Sequence, residues 1–138
     1  MYKRQLGKSG ERFAVRNSGA TAVTEGAGDH CCEYMTGGKV VILGSTGRNI
    51  GAGMTGGVAF IIDDNNDLSN KVNKEIVSIH KITTSKQEDM LLEILREYRA
   101  NTNSLKAAKI IENWSYYKST FKLIVPPSEE EMLGIKKM

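Results

Sequence analysis

Two prolines, two cysteines and a single tryptophan are all that this 138-residue chain holds of those types. The two cysteines are adjacent, Cys31-Cys32, which excludes the disulfide framework of a small secreted module. Long apolar runs are missing too: none approaches the ~18 residues of a spanning helix, and no leader pattern opens the chain. An excess of one charge is also absent, with 19 Lys+Arg against 16 Asp+Glu. Residues 1–63 carry seven basic and five acidic side chains, and residues 64–138 carry twelve and eleven. No basic stripe forms, so nucleic acid and anionic membranes are not expected partners. The expected compartment is the cytoplasm.

What the chain has is glycine, unevenly placed. Thirteen of the fourteen Gly lie at or before Gly57, whereas both prolines fall at 126–127. The glycine-rich part repeats itself: Tyr34-Met35-Thr36-Gly37-Gly38 returns as Gly53-Met54-Thr55-Gly56-Gly57, and more faintly as Arg16-Asn17-Ser18-Gly19-Ala20. Ser18, Thr36 and Thr55 are 18 and then 19 residues apart; Gly7, Gly26, Gly44 and Asp63 keep the same beat. A short period of small residues followed by a β-prone run is the signature of a parallel solenoid. The fold class expected is therefore mainly β. It is a right-handed parallel β-helix of about three coils over residues 6–82, then a small helical extension with a short terminal strand over 83–127. Met1-Tyr2-Lys3-Arg4-Gln5 reads as lying outside the repeat, either a non-native or truncated start or a frayed native one, and 128–138 as a tail.

Successive strand side chains point to opposite faces. Ala22, Val40 and Ala59, with Thr24, Ile42 and Ile61, are expected to share an interior. The other face carries Val23 and Glu25, Val41 and Leu43, and Phe60 and Ile62; its apolar surface calls for a cover, from the helices that follow or from another domain. Ser85-Lys86-Gln87-Glu88 reads as a capping box opening a helix to about Arg99, with Leu91, Ile94, Leu95 and Tyr98 on its apolar face. Asn101-Thr102-Asn103-Ser104 breaks that helix and caps a second, Leu105 to about Trp114, with Leu105, Ala108 and Ile111 inward. Lys122 to Val125 reads as a last strand, stopped by Pro126-Pro127.

Three stretches invite chemistry. Gly44-Ser45-Thr46-Gly47-Arg48-Asn49-Ile50-Gly51 follows an apolar run, and Asp63 and Asp64 lie where a ribose-binding carboxylate belongs. A dinucleotide fold needs a helix after the glycines, however, and Gly51, Gly53, Gly56 and Gly57 would each cost one about 1 kcal/mol against Ala. Val58 also starts the next β-run too soon for a strand–helix–strand crossover. The Walker pattern fails, since no Gly-Lys-Ser/Thr follows a first glycine at the right spacing. Asp29-His30-Cys31-Cys32-Glu33 gathers metal-capable side chains but lacks the paired spacing of a zinc site. Cys32 occupies the rung held by Ala14 and Gly51, as a small buried side chain. His80 alternates with Ile79 in a strand and is expected to face water. No catalytic, cofactor-binding or metal-binding residue is assigned.

Glu25-Gly26-Ala27-Gly28-Asp29-His30, Cys32-Glu33-Tyr34-Met35-Thr36-Gly37-Gly38, Thr46-Gly47-Arg48-Asn49 and Ala52-Gly53-Met54 closely resemble the C-terminal GXGXG domain of the glutamate synthase large subunit. Val72-Asn73-Lys74-Glu75 and Ile111-Glu112-Asn113-Trp114 follow in the same order, so the resemblance covers about residues 7 to 127. Cys31 departs from it, standing where that family usually has Gly. The resemblance implies a β-helical structural domain, non-catalytic by itself, in an oxidoreductase of nitrogen assimilation. That enzyme makes glutamate from glutamine and 2-oxoglutarate, with FMN and an iron–sulfur cluster held elsewhere in it. The implied partners are its amidotransferase and FMN-barrel domains and a small electron-donating subunit. Two alternatives stay open: a β-helix subunit similar to that of formylmethanofuran dehydrogenase, and a small nucleotide-binding module using Gly44 to Gly51.

Overall fold

A computed structural model describes residues 2–4, 18–26, 28, 31–32, 34–44, 46–48, 50–63, 68–72, 77–102 and 104–126. Strands β1 (Tyr2–Arg4), β2 (Ser18–Thr24), β3 (Thr36–Ile42) and β4 (Gly56–Ile62) pair side by side in parallel. Each partner lies one repeat further along: Tyr2 pairs with Thr21, Thr21 with Lys39, and Lys39 with Val58. The step is thus 19, 18 and 19 residues, so Tyr2–Arg4 joins the repeat in phase, contrary to the sequence expectation. The register shifts between Ser18 and Thr21 and again between Thr36 and Lys39. Gly38 and Gly57, at φ +88° and +85°, sit in the repeated Thr-Gly-Gly where those irregularities fall. Only a residue without Cβ takes that conformation cheaply.

The expected fold class does not hold. In place of a right-handed parallel β-helix, the described strands form one mixed six-stranded sheet in the order β1-β2-β3-β4-β6-β5. Strand β6 (Phe121–Val125) inserts between β4 and β5 (Ser78–Lys81) and runs antiparallel to both, pairing Phe121 with Ile62 and Val125 with Ser78. The physical reason lies after Asp63. There the glycine beat that lets parallel turns stack stops, while β4 is buried along its whole length and needs a partner that is apolar on both faces. β6 meets that need: Phe121, Leu123 and Val125 face one core and Ile124 the other.

Helices α1 (Ser85–Thr102), α2 (Leu105–Glu112) and α3 (Trp114–Tyr117) lie between β5 and β6 in the chain. One core lies between the sheet and the helices: Val41, Leu43, Phe60 and Leu123 meet Leu91, Leu95, Tyr98 and Ile110. The predicted apolar outer face is therefore covered by this chain's own helices. The opposite sheet face, with Ala22, Val40, Ile42, Ala59 and Ile61, packs on Cys31, Cys32, Met35, Ile50 and Met54 from the turns between strands. Every large side chain so buried contributes roughly 1.5–3 kcal/mol.

The helix caps differ in register from the expectation. Thr84, not Ser85, caps α1: its Oγ1 accepts from the Gln87 amide at 3.2 Å, and buried Gln87 accepts in return from the amides of Thr83 and Thr84. Glu88 is left to pair with Lys118 at 2.9 Å and to accept from the Trp114 indole at 3.3 Å. Both contacts, that with Lys118 first, hold its carboxyl below the usual range. On α2 the buried residues are Ala107 and Ile110, whereas Leu105 is 87% exposed. α1 runs three residues past Arg99, and α2 ends at Glu112, before Asn113 turns the chain into α3.

Candidate functional site

The glycine-rich turns are built by the stacking of one repeat on the next. The amide of Gly51 donates to the Cys31 carbonyl at 2.9 Å, Tyr34 to Ala52 at 2.7 Å, Leu43 to Thr24 at 2.9 Å and Thr55 to Met35 at 2.9 Å. Such approach leaves no room for side chains at the crossing points. A methyl group on Gly44 would overlap the Glu25 carbonyl, and one on Gly56 the Thr36 carbonyl. Gly53, at φ +68°, lies under the ring of Tyr34, where an added Cβ would come within 2.5 Å of the ring.

This packing bears on the phosphate-loop reading. A phosphate cradle needs several backbone N–H groups pointing at open space ahead of a helix. Here Gly47 donates to Gly28, Ile50 to Lys71 and Gly51 to Cys31, so those amides are spent on neighbouring turns. The described residues from Gly44 to Gly57 contain bends, turns and an Ile50–Val72 bridge rather than a helix. The Asp63 carboxylate, the candidate ribose ligand, accepts from the Leu68 amide at 3.1 Å and caps the short turn Leu68–Asn70. Ser45, Asn49 and Asp64 lie outside the described residues.

Cys31 and Cys32 are fully buried free thiols with their sulfurs 3.4 Å apart. Contact with the Cys32 thiol, then burial, pushes the Cys31 thiol well above its ordinary range, so it stays protonated and inert. The strain of this turn falls not on Cys31 but on Cys32 and Tyr34, at φ +62° and +56°. Asp29, His30 and Glu33 lie outside the described residues. Among those that are described, no three His, Cys, Asp or Glu side chains gather as metal ligands would. His80, expected to face water, is half-buried, with Nε2 2.8 Å from the Ser78 hydroxyl. That hydroxyl also lies 3.5 Å from the Val125 carbonyl, tying the edge strand to β6.

Two features had no local signal in the sequence. The first is a polar joint between sheet and helices. Ser104 Oγ donates to the Glu25 carboxylate at 2.7 Å and accepts from the Ala107 amide at 3.1 Å, so one hydroxyl caps α2 and anchors it to the end of β2. Tyr98 beside it is pushed up to about 12 by burial and by the nearby Glu25 charge. Ser104 was legible as a cap, but its partner is 79 residues away. The second is a cleft of about 580 Å³ between α1 and α2, lined by Arg96, Arg99, Ala100, Ser104, Leu105, Ala108 and Ile111. No helix among the described residues is long and apolar enough to cross a membrane.

Comparison with known proteins places the sequence in a family. The sequence profile of the GXGXG motif family matches residues 4–127. The chain is 55% identical over 124 residues to a ferredoxin-dependent glutamate synthase of Antithamnion sp., and 56% identical over 125 residues to the chloroplastic ferredoxin-dependent glutamate synthase 2 of Arabidopsis thaliana. It is 46% identical over 127 residues to the NADH glutamate synthase of Schizosaccharomyces pombe. Each match covers about nine-tenths of this chain (90%, 91% and 92%) but only 8%, 8% and 6% of the relative. The chain thus belongs to the GXGXG motif family, as a domain of the glutamate synthase type.

Proposed function

We propose that this domain is a structural element of glutamate synthase, non-catalytic by itself, which holds the amidotransferase and FMN-barrel domains of a larger enzyme in fixed relation. In this reading the enzyme moves the amide nitrogen of glutamine to 2-oxoglutarate. FMN and an iron–sulfur cluster reside outside this segment, and a small electron-donating subunit supplies reducing equivalents. The observation that carries the reading is the set of amides in the glycine-rich turns. Those of Leu43, Gly47, Gly51 and Thr55 bond to the preceding repeat, and that of Ile50 to the following segment, instead of facing a ligand. A ladder knit in this way keeps its shape under load from both sides, as a spacer between domains must. Within this domain no residue is assigned to catalysis, cofactor or metal. The compartment proposed is the cytoplasm; the relatives named chloroplastic show that plastid forms of such enzymes exist.

The test is titration of the 138-residue chain with FMN, NAD(P)H and ATP. The reading expects no saturable binding of any of the three. Saturable binding in the micromolar range would overturn it, and would revive the Gly44 to Gly51 loop as a nucleotide site.

A further inference from the structure

Of the surfaces that the stacked turns leave unused, the cleft between α1 and α2 has the most definite chemistry. Its apolar lining is Ala100, Leu105, Ala108 and Ile111, and Leu105 stands 87% exposed, although leucine at a helix start has no need of water. Both charged residues that line it are arginines. Arg99 reaches Glu112 only at 4.0 Å, with the two side chains 46% and 68% exposed, and Arg96 has no carboxylate partner among the described residues. A guanidinium presents a planar fork of donors that fits a carboxylate and is more readily desolvated than an ammonium group. A groove lined by apolar and cationic side chains suits an amphipathic segment that inserts one or two apolar side chains between carboxylates.

We propose that the α1/α2 cleft is a docking site for an acidic polypeptide segment of a partner, with Leu105 as its apolar contact and Arg96 and Arg99 as its carboxylate clamps. This goes beyond the scaffold reading and does not depend on it.

The test uses the full chain and a fluorescein-labelled peptide of about twelve residues built from Glu-Glu-Leu repeats, followed by fluorescence anisotropy at low and at high salt. The peptide is expected to bind saturably and more weakly as salt rises. The double variant Arg96→Gln/Arg99→Gln and the single variant Leu105→Ser are each expected to raise Kd at least about tenfold. The control Lys81→Gln, an exposed cation on β5, is expected to leave it within about twofold. All four positions are exposed, so the variants should melt as the parent chain does, and thermal melts verify this. Absence of saturable binding overturns the proposal. An equal loss in Lys81→Gln also overturns it, because the attraction is then unspecific charge. So does self-association of the chain that disappears in Leu105→Ser without any peptide binding, since a second copy then owns the cleft.

Discussion

Replacing Gly56 by Ala tests the stacked turns at their tightest point. The added methyl would overlap the carbonyl oxygen of Thr36 and crowd its carbon at 2.7 Å. Backbone cannot rotate aside as a side chain can, so β3 and β4 must part locally. Overpacking of this kind costs about 1–3 kcal/mol. The separation also strains the donation of the Gly56 and Thr55 amides to the Met35 carbonyl, at 3.3 and 2.9 Å, which adds about 1 kcal/mol. A loss of about 3 kcal/mol follows, a large part of the 5–15 kcal/mol that usually holds a domain. Gly53→Ala is the matched control. It too meets a close neighbour and a φ of +68°, but the neighbour is the Tyr34 ring, 53% exposed and free to swing outward. Only the left-handed backbone cost of about 1–2 kcal/mol should remain. Urea unfolding followed by far-ultraviolet circular dichroism and by Trp114 fluorescence measures both. A Gly56→Ala chain within about 0.5 kcal/mol of the parent, or one more stable than Gly53→Ala, would refute the argument.

Further expectations concern the joint and the thiols. Ser104→Ala removes both the cap of α2 and the ligand of Glu25, and should lower stability by about 1–2 kcal/mol in the same urea assay. Because Tyr98 holds its proton up to about 12 in the folded chain and only to about 10 when unfolded, its contribution is complete below the unfolded value. It is lost as pH rises through the folded one; stability measured against pH should fall across that window, and less steeply in Tyr98→Phe. Cys31 and Cys32 are expected to ignore a thiol-specific chromogenic reagent in the native chain and to react together on unfolding. Prompt reaction of either in the native chain would contradict their burial.

Local patterns in the sequence carried some parts of this fold well. The alternation of Val40, Val41 and Ile42, and of Ala59, Phe60 and Ile61, assigns each residue to the sheet face on which the structure buries it. The spacing of Leu91, Ile94, Leu95 and Tyr98 does the same for α1. Non-local pairing was not legible. Nothing near Phe121 signals that it will lie against Ile62, 59 residues back and antiparallel, so the parallel ladder was extended into a β-helix that the chain does not form. The rotation of α2 was missed for a related reason. Leu105, Ala108, Ile111 and Ala107, Ile110 are two apolar rows of equal spacing, and the bond from Ser104 to Glu25, remote in sequence, helps to set which turns inward. The cleft follows from that same rotation, since it leaves Leu105 outside. The family, by contrast, was plain in the turn residues, where stacked backbones require glycine at Gly44, Gly56 and Gly57.

Whether the domain couples two remote reactions or takes part in one is best measured by placing Gly56→Ala in a full-length glutamate synthase. Three rates are compared: glutamine hydrolysis, ammonia-dependent glutamate formation and glutamine-dependent glutamate formation. The structural role predicts that the first two persist while the third falls, as nitrogen made at one site no longer reaches the other. Selective loss of hydrolysis or of the ammonia-dependent reaction, with the remaining chemistry intact, would contradict it by placing this domain inside an active site.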